Sequence, residues 1–247
     1  MSRSAPQILL PDWPAPPGVH AVVTLRGGGV SQGPYASLNL GIHVGDDRAA
    51  VAENRRRLGQ ALALPAEPAW MEQVHGAEVC ALPVRGSLPS ADAAIARTAG
   101  EVAVVQVADC LPVLFAARAG GAVAAAHAGW RGLAAGVLEA TVRALGVPPA
   151  QLLAWLGPAI GAAHFEVGAE VRGAFLAQDP AAAAAFLPNS RGRWQCDLVQ
   201  LARARLRRAG VTALYGDSPC TYADPQRFFS HRRAAPCGRM AALIWLG

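Results

Sequence analysis

Apolar runs of strand length, each stopped by one polar residue and then a turn, set the frame for this chain. Residues 122–132 read AVAAAHAGWRG: a run fit for a buried strand ends at His127, and two glycines flank the Trp130–Arg131 pair. The arrangement recurs in QVHG, where His75 precedes a glycine, and in ADCLPV, where Cys110 closes an apolar run just before Pro112. Runs this short, punctuated by 26 glycines and 19 prolines, suit strands and short helices but not membrane spans.

The rest of the chain alternates in the same way. HAVVTLRGGGVS predicts a strand entering a Gly turn, and AAVAENRRRLGQALAL a helix capped by Asp46 or Asp47. PAWMEQVHGAEVCAL predicts strand, turn and strand. EVAVVQVADCLPVLFAA predicts strand structure broken at Pro112, and WRGLAAGVLEATVRALG one helix ending at Gly146. LLAWLGPAIG gives a strand and turn, EVGAEVRGAFLAQ and CDLVQLARARLRRAG give helices, and TALYG and MAALIWLG close as strands. Neither linker nor repeat interrupts residues 1–247, so the expectation is one domain with a mixed sheet core flanked by helices. A Rossmann fold is excluded by the missing GxGxxG and the imperfect strand–helix alternation.

All 22 basic residues are arginine, and the net charge of +5 rests on a scattered, solvated basic surface more than on a nucleic-acid footprint. The arginines of RRRL and RARLRRAG have helical spacing and are expected on outer faces. With no lysine, Schiff-base chemistry, a pyridoxal-phosphate lysine and a Walker A loop are excluded. Five cysteines at irregular spacing point to reduced thiols in a cytoplasm. The proline-broken N-terminus, MSRSAPQILLPDWPAPPG, is not a signal peptide, and no membrane partner is expected.

His75, Cys110 and His127 can meet only if their strand ends converge. Two nitrogens and one sulfur suit zinc, with the fourth position open for water or substrate. Zinc lowers the pKa of bound water from about 16 to about 7. A rival chemistry makes Cys110 a nucleophile with His127 or His75 as its base, and the two mechanisms exclude each other in one state of the site. Asp109 can orient a ligand histidine, act as a general acid or base, or simply cap a turn. Arg131, at the start of a helix, can hold phosphate or stand as an exposed arginine.

The ordered set SLNLGIHVGDD, MEQVHG, ADCLPV, AHAGWRG, GPAIG with FEVG, CDL, CTY, RFFSHRR and GRMAALIWL closely resembles the YfiH-type laccase-domain family across residues 20–247. That family is also described as polyphenol oxidases, peptidoglycan editing factors and zinc-dependent purine nucleoside phosphorylases. The resemblance implies a single-domain α+β fold of packed sheet layers with outer helices. It implies metal ligands at His75, Cys110 and His127, holding zinc or, adventitiously, copper. It implies phosphorolysis of adenosine, inosine and methylthioadenosine, with adenosine deamination, so nucleoside and phosphate are the expected partners.

Arg26, Asn39 and His43 join Arg131 as expected substrate or phosphate contacts, with Asp109 and Arg131 expected in catalysis. His43 has an alternative as a loop histidine satisfied by backbone. Phe228 and Phe229 are expected as core anchors, and Arg232 and Arg233 as anion contacts. The chain departs from many relatives after GPAIG, where AAHF replaces Pro and Cys residues and leaves His164 as a surface residue or new chemistry.

Six histidines and no H-x-H pair give several coppers nowhere to bind, so multicopper oxidation is excluded. Editing of peptidoglycan precursors, by hydrolysis of a misplaced serine from a UDP-muramyl compound, stays open beside phosphorolysis. So does a non-catalytic module with structural zinc. Oligomeric state is not legible.

Overall fold

The computed structural model describes residues 5–84, 86 and 89–247; the first four residues of the N-terminal stretch read above lie outside them. Its strands are β1 (Ile8–Leu9), β2 (Val19–Thr24), β3 (Val79–Ala81), β4 (Ala93–Ala96), β5 (Val102–Val107), β6 (Leu111–Ala117), β7 (Val123–Ala128), β8 (Leu152–Leu156), β9 (Glu166–Val167), β10 (Phe186–Pro188), β11 (Trp194–Cys196), β12 (Ala213–Tyr215) and β13 (Met240–Leu246). The helices are α1 (Arg48–Ala61), α2 (Trp130–Ala135), α3 (Val137–Leu145), α4 (Ala169–Leu176) and α5 (Leu198–Arg208).

Two large sheets stack face to face. One runs β1-β2-β13-β5 and the other β12-β8-β6-β7-β4-β3, with a small third sheet, β10-β11-β9, beside them. Alternation along each strand sorts residues between layers. Ala94, Leu114, Ala116, Val123, Ala125 and Trp155 of the six-stranded sheet meet Val23, Ala103, Val105, Ala242 and Ile244 of the four-stranded sheet in one buried cluster. The many alanines there let the sheets approach closely. The other face of the six-stranded sheet, with Val113, Phe115 and Ala126, is covered by Leu138, Val142, Val171, Phe175, Leu201 and Leu206 of the helices. Leu58 of α1, with Leu38, Leu40 and Trp70, covers the outer face of the four-stranded sheet. The result is an α/β/β/α layering, and it explains why β5, β6 and β7 are apolar at nearly every position: both faces are buried.

Several local expectations change. The apolar run of 101–117 breaks at Ala108–Cys110, where Asp109 takes φ 88°, and Pro112 lies inside β6. Pro112 is tolerated because β8 has already ended at Leu156; the Pro112 carbonyl accepts from Gly157 N at 2.9 Å. The expected single helix of 130–146 is two, because Gly136 adopts φ 95° between α2 and α3. The first strand of PAWMEQVHG is reduced to one bridge, Glu72 to Ser90. Asp47, not Asp46, caps α1, accepting from Ala49 N at 3.0 Å. Asp46 instead accepts from Ser31 Oγ at 2.6 Å.

Two arginines expected outside are not. Arg205 is buried, its Nε 2.7 Å from Glu139 Oε1. Arg55 lies 3.8 Å over the Trp70 ring.

Candidate metal centre

Register brings the cluster together. In the β6–β7 ladder Leu111 faces Ala128, which sets Cys110 against Gly129; in the β4–β7 ladder Ala93 faces Ala126, which sets Asp92 against His127. His75 arrives from the 74–76 turn. The ligand atoms of His75, Cys110 and His127 all lie within 4.8 Å of one another, and Cys110 Sγ is 3.8 Å from His75 Nε2. A tetrahedral ion with Zn–S and Zn–N lengths of about 2.3 and 2.1 Å separates such a pair by ~3.6 Å, so the observed spacing fits a shared coordination sphere.

Asp92 organises this centre. It is fully buried, and its carboxylate accepts the backbone N–H groups of Val74 at 3.2 Å, His75 at 3.0 Å and Gly76 at 2.6 Å. Those bonds hold His75 at φ 60°, a left-handed conformation that histidine adopts rarely. The same carboxylate lies 2.8 Å from His127 Nδ1, which leaves Nε2 free for the cluster. Sequence reasoning missed Asp92, which stands before the apolar run of β4 and does not close one as Cys110 and His127 do.

The glycines of AHAGWRG now have a reason. A Cβ at Gly129 would lie 2.8 Å from Cys110 Sγ and 3.0 Å from the His75 ring, and one at Gly132 would lie 2.8 Å from the Gly76 carbonyl. Both keep the first turn of α2 pressed against the ligand loop.

Electrostatics favour a thiolate. Burial raises the Cys110 thiol, but the His127 charge and hydrogen bonds from both imidazoles outweigh burial and bring it to about 6. Burial lowers His127, while Cys110 and Asp92 outweigh it and carry the imidazole up to about 9. A soft thiolate between two imidazoles is a donor set for a divalent transition metal, which displaces the proton they share.

Asp109 stands beside the cluster with both carboxylate oxygens engaged. Oδ1 accepts from Thr221 Oγ1 at 2.6 Å and Oδ2 from Arg232 N at 2.7 Å, while its carbonyl accepts from Ile160 N at 2.9 Å. These bonds hold the kink that turns Cys110 toward the histidines.

Cavities open on both sides of the ligands. One, of about 160 Å³, is walled by Trp130, Arg131, Ile160, Phe165, His231 and Arg232. The other, of about 270 Å³, is polar, with His43, Gln73, Gln106, His231 and Arg239; His75 and Cys110 border both. The structure therefore brings Asp109, Arg131 and His43 to the ligands.

It does not bring Arg26 or Asn39 there. Arg26 donates to the Ala36 carbonyl at 3.0 and 2.9 Å and to the Pro225 carbonyl at 2.7 Å. Asn39 is fully buried, donating to Gly41 O and Asp46 Oδ2 and accepting from Gly41 N and Arg239 N. Both close loops. Arg233 does the same, donating to the carbonyls of Thr221, Tyr222 and Phe228. Phe228 and Phe229 are buried anchors. His164 is half-buried, stacked on Tyr222 with ring centroids 4.5 Å apart and its Nδ1 3.5 Å from Cys220 Sγ. His231, which lines both cavities, was not singled out from sequence.

Residues 20–247 match the family described as multi-copper polyphenol oxidoreductase laccase. The chain is 55% identical over 240 residues to a purine nucleoside phosphorylase of Pseudomonas aeruginosa, covering 96% of this chain and 98% of that one. It is 52% identical over 241 residues to the purine nucleoside phosphorylase YfiH of Escherichia coli, covering 97% and 99%. A crystal structure of a Neisseria meningitidis protein superposes with a TM-score of 0.94 at 50% identity, covering 97% of this chain and 99% of that one.

Proposed function

The chain belongs to the multi-copper polyphenol oxidoreductase laccase family, and from that premise we propose that it is a zinc-dependent purine nucleoside phosphorylase. The observation that carries the proposal is the His75–Cys110–His127 cluster, open between an aromatic, arginine-bearing cavity and a polar one. The relatives named as purine nucleoside phosphorylases supply the reaction class. The family's description speaks of several coppers, but among the described residues only this one group of three or more His, Cys, Asp or Glu is placed to hold a metal. Copper would compete for the same donors, since it outranks zinc in affinity. A multi-electron reduction of oxygen has no second centre to use.

In phosphorolysis a phosphate oxygen bonds to ribose C1′ as the C1′–N9 bond breaks, and the purine leaves with the electron pair and takes up a proton. Trp130 and Phe165 offer faces against which a flat base stacks. Arg131 and Arg232 supply the cationic contacts for phosphate. His231, bordering both cavities, is the imidazole positioned to hand the departing purine its proton. Asp109 positions Cys110 and the 230–232 segment. A bound divalent cation supplies Lewis-acid polarisation at the junction of the cavities. Adenosine, inosine and methylthioadenosine are the proposed substrates. Without phosphate, water replaces the C6 amine of adenosine, releasing ammonia and inosine. The proposed compartment is the cytoplasm, where thiols stay reduced; all five cysteines are free.

Adenosine incubated with the metal-loaded protein should give adenine and ribose 1-phosphate when phosphate is present, and inosine when it is absent. A chelator should stop both. No product from adenosine, inosine or methylthioadenosine, with release of serine from UDP-muramyl-serine instead, would replace this function with the editing activity.

A further inference from the structure

Gln106 lies near the C-terminal end of β5, on the face that carries Val102 and Val104, in a strand otherwise wholly apolar. It is 6% exposed, yet its Oε1 is buried with no hydrogen-bond partner among the described residues. A buried acceptor left unpaired is costly, and native chains rarely keep one without use. The Gln106 side chain borders two cavities at once: the polar cavity beside the metal ligands, and a neighbouring one of about 390 Å³ walled by Ile42, Arg55, Trp70 and Met71. Gly41 keeps room beside it, since a Cβ there would stand 3.2 Å from Oε1.

The backbone of Gln106 is fully used. Its N–H donates to Gln73 Oε1 at 2.6 Å and its carbonyl accepts from Gln73 Nε2 at 2.9 Å. Only the side-chain amide is unspent.

The two cavities bordering the ligands differ in chemistry. The aromatic one, with Trp130 and Phe165, suits a flat base; the polar one, with Gln73, Gln106 and His43, has imidazoles but no Phe, Tyr or Trp in its wall and suits a hydroxylated sugar. A nucleoside placed this way sets its glycosidic bond across His75 and Cys110, which border both. We propose that the Gln106 carboxamide is a specificity-determining contact that accepts a hydrogen bond from a secondary hydroxyl of the ribose; the inference rests on the phosphorolysis reading. An acceptor-only phosphate would be repelled by the same oxygen. A site built around a hydroxyl rejects the analogue lacking it, because its buried acceptor is then left bare.

Calorimetric binding and kcat/KM would be measured for adenosine, inosine, 2′-deoxyadenosine and 3′-deoxyadenosine with the zinc-loaded wild type, Gln106→Leu and Gln106→Glu. Zinc content and thermal unfolding would be checked for each. The wild type should favour adenosine over one of the deoxynucleosides by about a hundredfold or more. Gln106→Leu should collapse that ratio to within about threefold, leaving the adenosine-to-inosine ratio unchanged. Gln106→Glu, which keeps an acceptor, should retain the discrimination; if the leucine variant does not fold, Gln106→Met carries the same expectation. A ribose-to-deoxyribose ratio unaltered by losing the amide, or a change in base preference instead, overturns the assignment. Absence of turnover with every nucleoside by the wild type defeats the phosphorylase reading itself, and the binding ratios then still report on Gln106.

Discussion

Asp92 and His127 face each other across the β4–β7 ladder and are joined twice. The His127 N–H donates to the Asp92 carbonyl at 2.7 Å, and Nδ1 lies 2.8 Å from Oδ1. The ladder that fixes the strand register therefore also fixes the tautomer of a metal ligand. Because the same carboxylate gathers three N–H groups around His75, one side chain orients two of the three donors. Asp92→Asn keeps the size but removes the charge and one acceptor oxygen. Zinc affinity should fall about 10- to 100-fold, read by competition with a chromogenic chelator, while the folded content by circular dichroism persists. Unchanged affinity would assign Asp92 to the 74–76 turn alone.

Gly129→Ala tests the close approach of α2. The new methyl would stand 2.8 Å from Cys110 Sγ, inside any real Cβ contact, and the alternative is to move α2 off the Gly76 carbonyl. Overpacking of this kind costs about 1–3 kcal/mol. The expected outcome is a lowered Tm together with zinc content well below one equivalent after dialysis. Full zinc occupancy with native activity would show that the ligand loop yields without cost.

Cys110 and His127 were legible because each closes an apolar run, and His75 because it stands before a turn glycine, patterns that survive in one dimension. Asp92 was not, because its meaning comes from standing opposite His127 on a neighbouring strand 35 residues away. Arg26 and Asn39 misled for the opposite reason. They sit in Gly-rich loops, where polar residues look like ligand contacts, but such loops must also satisfy their own backbone carbonyls and N–H groups, and these two side chains are consumed in doing so. Helical periodicity across 130–146 was real on both sides of Gly136, but the left-handed turn there changes the axis without breaking the pattern. The layers followed from apolar strands; their order followed from contacts no single segment encodes.

His43 supplies a pH signature. Burial lowers its pKa from the ordinary 6.5, and the positive charges of Arg239 and Arg55 lower it further. A bound cation acts in the same direction. With the folded value below the unfolded one, the neutral imidazole's contribution to stability is complete above pH 6.5 and is lost as pH falls through the lower folded value. NMR titration of the His43 ring should give a midpoint below 6.5, and Arg239→Met should move it upward, part of the way back. A midpoint unaffected by Arg239→Met would strike Arg239 from its causes and leave burial and the remaining cations, Arg55 first.

Arg131 separates phosphate binding from base binding. It is exposed, it lies in the first turn of α2, its guanidinium carbon is 4.5 Å over the Trp130 ring, and it walls the aromatic cavity. Arg131→Met keeps an aliphatic stem over Trp130 and removes only the charge and the donors. A charged hydrogen bond is worth about 1.5–3 kcal/mol, so the KM for phosphate should rise roughly 10- to 100-fold. The KM for adenosine and the zinc content should change little, and the dependence of phosphate KM on ionic strength should weaken. A variant whose phosphate KM stays put while adenosine binding collapses would move Arg131 from the anion to the base, where its stacking on Trp130 extends the platform for the purine.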